Sequence, residues 1–383
     1  MKLHEYRFDE VSINYDKKRI PLSGTERGKR QGKYRYYGAQ GVIDYIDDYI
    51  FDGTYVLIAE DGENLKTKRQ NIAQIVTGKF WVNNHAHIVT GNQLCDSRYL
   101  CYLINSIDLS GYITGSVQPK LSQANLNAVE LKLPDIEYQK KIVRFLEVLE
   151  DKIEINEKIN KNLEQQAMAI FNNAIEQSKS VTHVELGSLA DVKGGKRLPK
   201  GANLMSIPNS HPYIRVRDLN DVVFASLSAN YEYVDDETQK TISRYITTTD
   251  DVLISIVGTI GLTAIVDKSL NMANLTENCV KVTNLHGISP EYLLLYLRSQ
   301  HGSEEIKKGT VGAVQAKLPI KNIQALSVPL LPQSDLQSLN DTLKVLFNQL
   351  SINVAESKCL TDIRDSLLPK LMSGELDVSN LDL

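Results

Sequence analysis

The stretch EYQKKIVRFLEVLEDKIEINEKINKNLEQQAMAIFNN (137–173) decides the fold, because it contains no glycine or proline and repeats its apolar residues along one face. Ile142, Leu146, Leu149, Ile153, Asn156, Asn160, Leu163, Ala167 and Ile170 follow one another at alternating four- and three-residue steps. That spacing is the heptad seam of a coiled coil. A helix of these 37 residues is roughly 55 Å long, several times the usual globular helix of about 11–12 residues.

Shifted by 197 positions, the seam returns as Leu339, Leu343, Leu346, Leu350, Asn353, Ser357, Leu360, Arg364 and Leu367. The register is kept, including the asparagines at 156 and 353. Neither helix buries its apolar stripe alone, so the two are expected to pair within the chain. Polar residues in the seam cost stability but penalise slipped registers. An antiparallel pair places both asparagines near mid-length, and that orientation is expected. The alternative leaves each helix lying on its own globular part. Leu133-Pro134 and Leu330-Leu331-Pro332 lead into the helices, proline being compatible with a helix start.

The duplication extends upstream. YLCYLINS (99–106) and YLLLYLRS (292–299) lie 193 residues apart, as do NHAHIVT (84–90) and ENCVKVT (277–283). GSVQPKL (115–121) then matches GAVQAKL (312–318) at 197, KRIP (18–21) matches KRLP (196–199), and Tyr34 pairs with Tyr213. Shared order and a slowly drifting offset point to internal repetition. TYVLIAEDG (54–62) and DVLISIVGTIG (251–261) read as buried strands, AHIVT and CVKVT as a second strand in each copy, and YLCYLINS and YLLLYLRS as short helices.

At 383 residues the chain suits two or three domains. Its 42% hydrophobic content supports packed cores, and a net charge of −4 excludes a uniformly basic DNA-coating protein. Cys95, Cys101, Cys279 and Cys359 form no CxxC pair, which fits a reducing cytoplasm. No signal peptide or membrane span is read.

A search for catalysis finds no phosphate loop; in GTVGAVQAK (309–317) the lysine is not followed by Ser or Thr, so a structural loop is expected. His85 and His87 have no histidine at the matching 278 and 280, and are read as strand residues rather than metal ligands. Asp61, Glu63 and Glu277 read as surface or turn acids.

Nucleic-acid chemistry remains. Lys17, Lys18, Arg19, Arg27, Lys29, Arg30, Lys33 and Arg35 face a single acid, Glu26, and are followed by Tyr36 and Gln40. In the second copy Lys193, Lys196, Arg197 and Lys200 precede Arg215 and Arg217. Cations position a protein on phosphates, while Arg, Gln and Asn can read base edges. A single charge run is usually a solvated loop; recurrence in both copies favours DNA contact. Gln118 and Lys120, matched by Gln315 and Lys317, form a second candidate patch.

With this organisation in view, the chain resembles the specificity subunits of type I restriction–modification systems over nearly its full length. The resemblance rests on the GSVQPKL block with its helix, the partner GAVQAKLPIKNIQALSVPLLPQSDLQ, and the ending DSLLPKLMSGEL (365–376). It implies a mixed α/β (α+β) fold: two globular target-recognition domains with small twisted sheets, separated by two long antiparallel coiled-coil helices, with a pseudo-two-fold repeat. The expected segments are residues 1–133, 134–181, 182–331 and 332–383, recognition domains alternating with helical regions.

Each domain would read half of a bipartite, gapped site in double-stranded DNA. The helices would set the spacing and dock two methyltransferase subunits, through which restriction subunits join. This chain is expected to bind no cofactor, S-adenosylmethionine and ATP with magnesium belonging to the partners, and to have no catalytic role. One departure is noted: Gln139 opens the first helical region, whereas Ser334-Asp335-Leu336-Gln337 opens the second, so the helix should persist with looser docking. The competing readings are a coiled-coil scaffold that ignores DNA, and a stand-alone methyltransferase, for which no Asn-Pro-Pro-aromatic tetrapeptide is present.

Overall fold

The periodic stretches form two long helices, α1 (Ile136–Gln177) and α2 (Gln333–Ser373), of 42 and 41 residues. The computed structural model describes residues 2–378 apart from 69, 116, 229, 230, 313 and 314. The chain divides into two units, Met1–Ile155 with Glu356–Leu383, and Asn156–Ala355. Each long helix therefore gives one half to each unit.

In the first unit six strands form one mixed sheet, ordered Ser12–Asn14, Ala86–Gly91, Phe51–Ala59, Ala73–Val82, Gln31–Gly38, Gly41–Ile46. Gln31–Gly38 runs parallel to Ala73–Val82 and the other neighbours are antiparallel. Strand alternation sends Val56 and Ile58 to one core and Leu57 to another. The helix Ser97–Ser106 covers the first of these cores with Tyr99, Leu100, Leu103 and Ile104, and Ile142 and Leu146 of α1 join it.

The second unit has a five-stranded sheet ordered Asp191–Gly194, Cys279–Thr283, Val252–Ser255, Thr263–Val266, Phe224–Ala225. A separate three-stranded sheet is ordered Glu232–Tyr233, Pro212–Ile214, Asn274–Leu275. The helix Pro290–Arg298 packs on the larger sheet, and Leu339, Leu343, Phe347 and Leu350 of α2 enter the same core.

The repeat is visible in both units. His4–Arg7 pairs with Glu130–Leu133, and Thr182–Glu185 pairs with Ser327–Leu330, each closing a two-stranded sheet just ahead of a long helix. The strands and short helices read from the sequence occupy the expected places.

The seam residues divide by depth. Ile142, Leu146, Asn156, Leu339, Leu343, Leu350 and Asn353 are buried, while Leu149, Ile153, Leu163, Leu346 and Leu360 are half-buried. Ile170 is exposed, and its neighbour Phe171 takes the core position, its ring 5.0 Å from that of Tyr292. In the first unit the contacts Glu150–Arg364 (4.0 Å) and Lys152–Glu356 (3.2 Å) run in opposite chain senses, so the helices are antiparallel. In the second, Asn353 Nδ2 donates to Asn160 Oδ1 at 2.9 Å, and Gln349 Nε2 donates to Asn353 Oδ1 at 2.8 Å. Asn353→Leu is therefore expected to raise Tm by a few degrees while admitting other registers or oligomers. Calorimetry with light scattering checks both; a large drop in Tm would show that Asn353 supports the fold rather than its register.

Gln139 is fully buried. Its Nε2 donates to the carbonyls of Leu94 (2.9 Å) and Pro134 (2.8 Å), and its Oε1 accepts from Asp96 N–H (2.9 Å), clamping α1 to the cap of the helix Ser97–Ser106. At the equivalent place Leu336 is buried in the second core, and Asn340, one turn on, bonds Ser289 N–H and Gly287 O. The helix persists, and the clamp has moved by a turn.

Candidate nucleic-acid interface

The GxVQxK repeats build the same object twice. Lys120 and Thr114 exchange backbone hydrogen bonds of 2.8 Å, as do Lys317 and Val311, closing two tight hairpins. Gly115 (φ 87°) and Gly312 (φ 100°) make the turn possible. A Cβ there would sit 2.2 Å from Gln118 O or 2.5 Å from Gln315 O. Gln118, Lys120, Gln315 and Lys317 are exposed; Ser116, Ala313 and Val314 of these motifs lie outside the described residues.

In the first unit the hairpin docks on the end of the strand Phe51–Ala59. Gly62 N–H donates to Pro119 O at 3.1 Å, and Lys120 Nζ lies 3.3 Å from Glu60 Oε1. His85, in the turn before its strand, bonds Asp61 Oδ2 at 2.7 Å. Exposed Gln40 tips the turn between Gln31–Gly38 and Gly41–Ile46, beside Gly62. Lys17 and Lys18 are exposed on the 3-10 turn Asp16–Lys18, with Lys18 over the Tyr15 ring at 5.3 Å. The structure thus gathers Gln40, Gln118 and Lys120 on one rim with His85, which the sequence offered only as a strand residue.

Arg19 is a different matter. Its side chain is only 14% exposed, and Nη1 donates to Glu60 Oε2 and to Ala86 O, both at 2.8 Å. Nη2 lies 3.4 Å from Asp16 Oδ2. Buried His87 donates Nδ1 to Asp16 (2.6 Å) and Nε2 to Leu121 O (2.8 Å). Burial pushes the Asp16 carboxyl up, but the His87 hydrogen bond and charge, the Ile88 N–H and Arg19 outweigh it and hold the group below its usual value. Arg19 is thereby held in a half-buried ion network with Asp16 and Glu60, not displayed on the surface as Lys17 and Lys18 are.

The rest of the basic run lies elsewhere. Arg27 pairs with Asp44 (3.0 Å) and Arg30 with Asp47 (2.9 Å). Tyr36, expected at the interface, is fully buried with its hydroxyl accepting from Leu22 N–H at 2.8 Å. Arg35 Nη2 donates to Thr77 O (2.7 Å), and Lys33 is exposed above Tyr34 at 5.3 Å. One charge run in sequence therefore becomes two places in space, because Lys33–Arg35 and Gln40 sit toward opposite ends of one extended strand pair.

In the second unit Lys196 lies over Tyr245 at 5.4 Å, and exposed Arg197 pairs with Glu277 at 2.8 Å. Arg215 pairs with Glu232, which also meets Arg217 at 3.3 Å. Asp218 beside them is pushed up to about 6, chiefly by burial. Burial also pushes the thiols of Cys95, Cys101 and Cys279 up to about 12, leaving them unreactive. Among the described residues no cluster of three or more His, Cys, Asp or Glu could hold a metal, and no helix is long and apolar enough to cross a membrane.

Comparison with known proteins converges on one family. The family described as "Type I restriction modification DNA specificity domain" matches residues 4–165 and 178–360. A type I restriction enzyme specificity subunit of Haemophilus influenzae is 33% identical over 141 residues, covering 37% of this chain and 36% of that protein's length. The MjaIX specificity subunit of Methanocaldococcus jannaschii is 25% identical over 312 residues, 74% of this chain and 70% of that one. The crystal structure of a type I restriction-modification S subunit from M. genitalium shares the fold at a TM-score of 0.59, with 16% identity over 97% of this chain and 96% of that one. Two matches in tandem, over the two halves that the repeat and the paired sheets define, establish that the chain belongs to the type I restriction–modification DNA specificity family.

Proposed function

We propose that this chain gives a type I restriction–modification complex its DNA sequence specificity and contributes no catalytic centre. Each globular part reads one half of a bipartite, gapped site. The long helices set the spacing and dock two methyltransferase subunits, with restriction subunits joining through them. S-adenosylmethionine, ATP and magnesium belong to those partners. The observation that carries this reading is the duplicated plan itself. The shared scaffold of hairpin, short helix and long helix presents two copies of one docking surface to two copies of one partner. The large sheets share their strand order, and the units differ around it: the first adds a sixth strand and longer central strands, the second a separate three-stranded sheet, which suits unlike half-sites.

Methylome sequencing of cells carrying the chain with its methyltransferase tests it: one asymmetric, gapped motif is expected, and an absent or continuous motif would overturn it. Exposed cations give a second check. Lys17→Glu with Lys18→Glu should weaken duplex binding of the complex at all sequences and flatten its salt dependence by about one to two slope units. Unchanged binding would favour a scaffold that ignores DNA.

A further inference from the structure

The strands Phe51–Ala59 and Ala73–Val82 are paired with Gly53 opposite Gly78, and both glycines have positive φ, 137° and 91°. Facing glycines let a ribbon fold sharply, since no side chain fills the inner angle. The rings of Phe51 and Tyr55, four residues apart on one face of the strand, close over Gly53 with centroids 5.3 Å apart, and a Cβ on Gly53 would meet the Tyr55 ring at 3.4 Å. Tyr55 also meets Phe80 at 5.8 Å, and both Phe51 and Phe80 join the inner core with Leu57 and Val76. The other face of the ribbon is turned outward at this elbow.

That outer face is polar. Asp52, Thr54, Thr77 and Lys79 are exposed there in two cross-strand pairs, Asp52 with Lys79 and Thr54 with Thr77, the hydroxyls of the second 3.2 Å apart. Beside it runs a ladder of cations and rings: Lys79 over Tyr49 at 4.5 Å, Tyr49 to Tyr34 at 5.1 Å, Lys33 over Tyr34 at 5.3 Å. Thr54 and Tyr55 open the repeated stretch TYVLIAEDG and Tyr34 has its counterpart in Tyr213, but Asp52, Thr77 and Lys79 belong to no repeated motif. Two readers built on one scaffold must discriminate with residues they do not share, which excludes the GxVQxK hairpins as the source of different specificities and points to unshared surface such as this.

We propose that the outer elbow enters the groove of the DNA duplex and is the sequence-reading surface of the first unit. The major groove admits a two-stranded ribbon. Lys33 and Lys79 neutralise phosphates on its flanks. The threonine hydroxyls donate to or accept from base edges, and the Asp52 carboxylate accepts from an exocyclic amine, as on cytosine. This rests on the proposed function, being the same activity assigned to named residues.

The test uses the full complex with its methyltransferase and duplexes altered singly in each half-site. Thr54→Val with Thr77→Val keeps the β-branched shape and removes both hydroxyls. Discrimination at one half-site should fall by about tenfold or more, with the other half-site and complex assembly unchanged. Lys79→Gln, an exposed change that leaves the strands intact, should reduce the salt slope by about one without altering discrimination. A wild-type complex with no gapped motif overturns the proposed function and the elbow together. A wild-type complex with such a motif, beside assembled variants of unchanged discrimination and salt slope, overturns the elbow alone. Loss of discrimination at both half-sites equally would also overturn it.

Discussion

Leu343→Asp should unfold the second unit while Val345→Asp, two residues along the same helix, leaves it intact. Leu343 has no exposed surface and packs among Leu339, Phe347 and Phe171, whereas Val345 is 70% exposed. Placing a carboxylate at 343 leaves no cation or donor to meet it among those apolar neighbours. An unpaired charge there costs more than about 4 kcal/mol, a large part of a domain's usual 5–15 kcal/mol. Limited proteolysis should then cut within residues 156–355 and spare the first unit's sheet. Because this core includes Ala167 and Phe171 of α1 as well as α2, methylation by the complex should be lost at both half-sites, not one. A folded, active Leu343→Asp protein would show that the seam is not part of the core.

The helices and the duplication were legible because their signal is local and repeated: a heptad pattern needs no knowledge of what lies across from it. Strands such as Val252–Ser255 were legible for the same reason, as short β-branched runs. The strand Ala73–Val82 was not, since Thr77, Gly78 and Lys79 interrupt its apolar alternation at the elbow. Nor were the two- and three-residue strands of the small sheet in the second unit, too short to carry a pattern of their own and formed only through distant partners, as Tyr213 pairs with both Glu232 and Asn274. The candidate site was half legible. Gln40, Gln118 and Lys120 do share a rim, but proximity in sequence could not show that Lys33 lies at the other end of its strand, or that Tyr36 and Arg19 face inward. Two arginines with the same neighbours in a basic run can differ entirely in depth. Asp16 and Glu60 decide the matter for Arg19.

Arg19→Ala should lower the first unit's Tm by on the order of 10 °C and move its acid unfolding to higher pH. The guanidinium meets both Asp16, whose side chain is 4% exposed, and Glu60, at 14%, beside His87, whose Nδ1 lies 2.6 Å from Asp16 and 3.8 Å from Glu60. Removing one partner of a buried ion network while leaving the others costs roughly 3–5 kcal/mol, and about 2–4 °C accompanies each kcal/mol in a unit of this size. The pH dependence follows from Asp16. Its folded carboxyl lies below the ordinary value of 3.8, so its contribution is complete above that value and is lost as pH falls through the depressed one. Without Arg19 one of the groups holding it down is gone, its folded value rises, and the loss begins at a less acidic pH. His87 remains to hold Asp16, so the shift is partial rather than complete. Arg19→Lys keeps a charge but not the fork that reaches Glu60, Ala86 O and Asp16 together, and should recover only part of the Tm. Thermal melts of the three proteins between pH 3 and 7 separate this from a surface role: a DNA-contacting arginine would change binding and leave all three melts superimposed.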